Sequence, residues 1–105
     1  MEDTRIEVTP AIANAWVDID VNAYVSAKDS VVVLHCINKH TSKNYAVRLR
    51  KNGSIDNRTI ELPLSAGTDC WIAVGIDANR VFEAYVEDTT SISIYLITRR
   101  RKNER

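Results

Sequence analysis

Apolar side chains return at every second position along most of this chain, which is the period of a strand with one buried face. In residues 16–21, Val17, Ile19 and Val21 point inward and alternate with Trp16, Asp18 and Asp20. Residues 45–51 set Tyr45, Val47 and Leu49 against Ala46, Arg48 and Arg50. In residues 59–64, Ile60, Leu62 and Leu64 alternate with Thr59, Glu61 and Pro63. Pro63 has no N–H for a ladder and puts that strand at an edge or a bulge. Residues 4–8 predict a short edge strand closed by Pro10, and residues 91–98 a last strand with Ile92, Ile94 and Leu96 inward. Residues 30–37 differ, being apolar on both faces and rich in Val, as expected of a central strand among the least exposed parts of the chain.

The organising stretch is residues 69–88, read as a β-hairpin turning at Ala78-Asn79, because Asn tolerates the positive φ of a tight turn. Cys70, Ile72, Val74 and Ile76 share one face of its first strand, opposite Trp71, Ala73, Gly75 and Asp77. Phe82, Ala84 and Val86 share one face of its second. Apart from one turn within residues 11–15 there is no helical period. Seven or eight short strands at regular spacing predict an all-β antiparallel sandwich, jelly-roll-like, with a flattened barrel as the alternative. Its core comprises Val17, Ile19, Val32, Leu34, Val47, Leu49, Ile60, Leu62, Ile72, Val74, Phe82, Ile94 and Leu96. One domain covers residues 4–98, and residues 99–105 form a basic tail.

Fourteen basic and fourteen acidic side chains cancel, so no global field steers the chain to nucleic acid or an anionic membrane. Five of the basic groups and one acid lie in residues 99–105, leaving the body at a net −4. This tail, with no aromatic residues interleaved, is read as a solvated end, and nucleic acid is not an expected partner. Neither a membrane-spanning run nor a signal-peptide pattern is present, so no membrane contact is expected. Two cysteines, Cys36 and Cys70, make neither a disulfide framework nor a zinc site. They are expected either as core thiols or as a disulfide worth roughly 4 kcal/mol in the chain-entropy model. No cofactor or metal is expected.

No acid, base, nucleophile or metal set converges at a defensible spacing, and the expectation is that the protein is not an enzyme. His35 and Cys36 are adjacent in a strand and point to opposite faces. His35 and His40 have no partner at metal-ligand spacing. The polar loops hold the candidate ligand contacts Asn52, Ser54, Asp56, Asn57, Arg58, Asp77, Asn79 and Arg80, although turn chemistry alone selects the same residue types. Asp18 and Asp20 would face Arg48 and Arg50 if their strands neighbour, for about 0–1 kcal/mol each. Trp16, Trp71 and Tyr85 fall on outward faces, where stacking on sugar, a subunit contact or packing under a loop would each explain them.

The runs Arg48-Leu49-Arg50-Lys51-Asn52-Gly53-Ser54, Asp56-Asn57-Arg58, Gly75-Ile76-Asp77-Ala78-Asn79-Arg80 and Tyr95-Leu96-Ile97 resemble the punctuation of small β-sandwich modules on phage, prophage and archaeal-virus surface or tail proteins. The resemblance spans residues 15–97 and implies a structural or attachment role in an oligomeric assembly, without catalytic positions; the expected location is virion-associated or cytoplasmic. A carbohydrate-binding module is the alternative. Self-association has a separate argument. One interior cannot take both Val32, Leu34 and Cys36 and the opposite set Val31, Val33 and Ile37, with Trp71, Val81 and Tyr85 also outward. Either loops cover the second set or another subunit does, and a homo-oligomer with its contact at Trp71, Val33 and Tyr85 is expected, a trimer by the viral resemblance.

Overall fold

The computed structural model describes residues 2–28, 30–54 and 63–100. Among them are eight strands and no helix: β1 (Glu2–Glu7), β2 (Val17–Asp20), β3 (Val31–Asn38), β4 (Tyr45–Lys51), β5 (Pro63–Leu64), β6 (Asp69–Gly75), β7 (Val81–Val86) and β8 (Ile92–Arg100). They form two antiparallel four-stranded sheets, A in the order β1-β8-β3-β6 and B in the order β2-β7-β4-β5. Strand 1 pairs with 8, 2 with 7, 3 with 6 and 4 with 5. The pairs are nested, as if one long antiparallel ribbon had been wound across two layers.

The alternation in the sequence decides which side of each strand is dry. Val32, Leu34, Cys36, Val74, Ile92, Ile94 and Leu96 of sheet A meet Val47, Leu49, Phe82, Ala84 and Val86 of sheet B, with Val21 and Ile76 closing one end. Ile19 and Ile72 pack half-buried at the margin of this cluster. Ile60 and Leu62 of the expected core lie outside the described residues. β5, with Pro63, is an edge strand, as its missing N–H requires.

Two expectations are corrected. Residues 69–88 are not a hairpin: β6 pairs with β3, β7 pairs with β2 and β4, and the chain between them crosses from one layer to the other. The crossing turns on Asp77, whose Oδ1 accepts from the Asn79 and Val81 amides at 2.9 and 3.0 Å. The left-handed residue is Arg80, at φ 62°, rather than Asn79. β3 is central, between β8 and β6, with five of its eight residues buried, but its outer face is open where burial was expected, Val31 and Val33 being 62% and 42% exposed.

At the other end of the sandwich, buried Asn38 joins three segments. Its Nδ2 donates to the carbonyls of Lys43 and Leu64 at 2.8 and 2.9 Å, and its Oδ1 accepts from the His40 amide at 2.9 Å. Replacing it by leucine keeps the volume and leaves these groups without their partner, at about 1–3 kcal/mol for each that stays dry. Asn38→Leu is therefore expected to lower the urea midpoint with an unchanged m-value. A midpoint equal to the parent's would show that water replaces the amide.

Candidate functional site

The ladder registers of sheet A define its outer surface. Tyr95, His35 and Trp71 lie in one row across β8, β3 and β6, and Ile97, Val33 and Ala73 lie in the next. Val31 faces Gly75 beyond them, and Ile37 faces Asp69 on the other side. Arg5 of β1 stands opposite Ile97 and reaches across the sheet. Its guanidinium lies 4.7 Å from the Tyr95 ring centroid and donates through Nη2 to His35 Nδ1 at 2.8 Å. A guanidinium has no acceptor, so Nδ1 carries the lone pair and Nε2 the proton. That proton is directed at Asp69 Oδ2, 2.5 Å away. The oriented imidazole stacks on the Trp71 indole with centroids 4.2 Å apart and planes 12° from parallel. His35 itself is 9% exposed, while Trp71 is 57% exposed.

The outer face of sheet B has a different character. Arg50 and Glu83 form an ion pair, and the Arg50 guanidinium sits 3.9 Å from the Trp16 ring centroid. Arg48 covers the Tyr85 ring at 5.0 Å, and Trp16 and Tyr85 are 5.8 Å apart. Tyr85 thus lies on the opposite outer surface from Trp71 and Val33, and the expected three-residue contact does not converge. Asp18 and Asp20 do not face the arginines either, because β7 lies between β2 and β4, and Glu83 takes the place opposite Arg50.

The loop candidates gather in part at one end. Asn52 Nδ2 donates to Asp77 Oδ2 at 2.8 Å. Arg80 donates to the Ser26 carbonyl through Nε at 3.1 Å and Nη2 at 3.0 Å, and to Asn22 Oδ1 through Nη1. The Ser54 amide closes a turn on the Lys51 carbonyl at 3.0 Å, beside Gly53 at φ 84°. Asn79 is exposed at the tip of the Asp77 turn. Turn formation thus occupies Asn52, Asp77 and Arg80, and Asp56, Asn57 and Arg58 lie outside the described residues. Asp77 is held below the ordinary carboxylate range first by the Asn52 amide, which outweighs desolvation, and further by the Val81 and Asn79 amides.

His40 also has a turn role, its Nδ1 accepting from the Ser42 and Lys43 amides at 3.0 Å each. Cys36 and Cys70 are free thiols placed directly opposite each other on β3 and β6. Burial, and then the neighbouring Cys70, push Cys36 up to about 12. Burial raises Cys70 as well. Among the described residues no three His, Cys, Asp or Glu side chains group as metal ligands, and no helix is long and apolar enough to cross a membrane. The comparisons with protein-family models, curated proteins and solved structures return no match for the chain.

The line from Arg5 through His35 to Asp69 was missed in the sequence. Its signal was parity: His35 shares the outward face of Val31 and Val33, and Asp69 that of Trp71. Their pairing, however, depends on a register between strands 34 residues apart.

Two outcomes follow. The folded pKa of Asp77 lies below its unfolded value, so its contribution to stability is full above the ordinary carboxylate range and is lost as pH falls through that range to the folded value. Thermal melts between pH 6 and pH 2, about the span of a lowered carboxylate, should fall less steeply for Asp77→Asn than for the parent. Equal slopes would remove Asp77 from the acid response. For the thiols, a disulfide reagent should modify half-buried Cys70 first and Cys36 only on unfolding, because the thiolate is the reacting form. Mass spectrometry of the early adduct distinguishes the two.

Proposed function

We propose that the protein is a non-enzymatic structural or attachment module, a homo-oligomer working through protein–protein contacts in an assembly of the viral type. The observation that supports this is the bare apolar surface of sheet A. Val31, Val33, Ala73 and Trp71 are exposed and contiguous on neighbouring strands, over a sandwich whose interior is already filled. Contiguous apolar patches of this kind mark contact surfaces on soluble proteins. Beside Val31 and Val33 a groove of about 320 Å³ runs between sheet A and the β2–β3 connection, lined by Tyr24, Val25 and Ile97 among others. Surface and groove together offer a second copy both a flat face and a recess. The contact centres on Val31, Val33 and Ala73, with Trp71 at its rim on the edge strand. A closed symmetric ring or dimer covers such a face without leaving it open to further addition. The resemblance to viral surface and tail modules supports the same reading and favours a trimer.

Light scattering at micromolar concentration is expected to give a multiple of the 11.9 kDa chain mass. Val33→Glu puts a charge at the centre of the contact while leaving the interior untouched, and is expected to shift the mass to that of one chain with an unchanged circular dichroism spectrum. A parent protein with the mass of one chain would overturn the assembly reading. An oligomer unaffected by Val33→Glu would move the contact to another face.

A further inference from the structure

Trp71 has a geometry that a subunit contact alone does not explain. Among the described residues β6 pairs with β3 alone, which places it at the edge of sheet A. The His35 ring that stacks on Trp71 belongs to β3 and covers the indole from the sheet side. The other ring face therefore looks outward past the sheet edge, consistent with 57% exposure. Next to it on the same face of β6 is Asp69, two residues away, or about 7 Å along a strand. Oδ2 of Asp69 is engaged by His35, whereas Oδ1 accepts no hydrogen bond among the described residues. The Trp71 indole N–H likewise has no partner among them. One ring face, one acceptor and one donor thus stand together at the edge, held by the Arg5, His35 and Asp69 line.

We propose that this edge is a saccharide-binding site, in which a pyranose ring lays its C–H face on Trp71 and directs hydroxyls to Asp69 Oδ1 and the indole N–H. A pyranose has an apolar face and a rim of groups that both donate and accept, which matches an aromatic plane bordered by one acceptor and one donor. A planar cation is a poorer match, because the charge of Asp69 is already shared through the imidazole with Arg5. A phosphate-bearing ligand is disfavoured by the same half-exposed carboxylate. With a single stacking surface the affinity is in the millimolar range, and repetition of the site around an oligomer would raise it by avidity. The site shares Trp71 with the rim of the assembly contact, but it uses the ring face beyond the sheet edge rather than the Val31 and Val33 surface at the centre of that contact.

The test uses the isotope-labelled 105-residue chain, with its two indole N–H signals followed by NMR. It is titrated with methyl β-D-glucopyranoside, methyl β-D-galactopyranoside, methyl α-D-mannopyranoside and N-acetylglucosamine. The signal missing from Trp71→Ala is expected to move saturably with at least one of these sugars, and the Trp16 signal to stay fixed. In Trp71→Ala the response of the Asp69 backbone amide to that sugar should weaken more than tenfold, with the circular dichroism spectrum unchanged. Trp71→Phe, which keeps a ring, should retain part of it. The Trp71 signal in Val33→Glu should still respond, which separates this site from the assembly reading. No saturable shift with any of the sugars up to about 0.1 M, far above a millimolar dissociation constant, would overturn the proposal. So would a shift with methylguanidinium and none with sugar, or sugar binding that survives in Trp71→Ala.

Discussion

The loop end of the sandwich hangs on one side-chain amide. Asn38 terminates β3, and its two amide hydrogens and its oxygen are all spent on backbone groups of segments that follow it in the chain. Its own backbone adds two more bonds, the amide donating to the Thr68 carbonyl at 2.9 Å and the carbonyl accepting from Gly67 at 3.0 Å. The connection after β3, the edge strand β5 and the turn before β6 thus meet at one buried residue. A buried amide is tolerable only when all its groups are matched, so this arrangement fixes the relative places of the three segments as well as stabilising them. With that end fixed, β6 is delivered to the side of β3 in the register that sets Trp71 against His35.

The two outer surfaces have met the same physical problem in different ways. Sheet B carries its large outward rings under guanidinium groups, with Arg50 over Trp16 and Arg48 over Tyr85, so its aromatics are half-buried, and Arg50 is in turn paired with Glu83. Sheet A uses Arg5 to orient an imidazole, and leaves Val31, Val33 and its edge tryptophan bare. This asymmetry is the reason the proposed contacts are assigned to sheet A.

Much of the fold was legible because a period of two states which side of a strand is dry. Leu34, Val47, Leu49, Phe82, Ile94 and Leu96 are fully or nearly fully buried, as the alternation of apolar positions required. The period does not state which sheet a strand joins. Cys70, Ile72 and Val74 would read the same way in a hairpin with Phe82 and Ala84 as they do facing them across the interior, and so the crossing at Asp77 passed for a hairpin turn. The same limit separated Tyr85 from Trp71: both point outward, but from opposite layers. The surplus of apolar side chains on β3 was legible and is present as exposed Val31 and Val33. The His35 site was not, because it is assembled from β1, β3 and β6, whose closeness comes from the winding of the chain rather than from any local spacing.

The side chains from Arg5 to Trp71 run at right angles to the strands, from one edge of sheet A to the other. Arg5 stands on β1, crosses the Tyr95 ring on β8, engages His35 on β3 and, through it, Asp69 and Trp71 on β6. Hydrogen bonds of the ladders fix the spacing of neighbouring strands, but this line acts as a transverse brace on one surface and resists bending of the sheet about the strand direction. An exposed tryptophan ordinarily samples several rotamers, and a binding partner must suppress all but one. Here that ordering is accomplished during folding, so the ring at the edge of β6 meets its surroundings as a fixed plane.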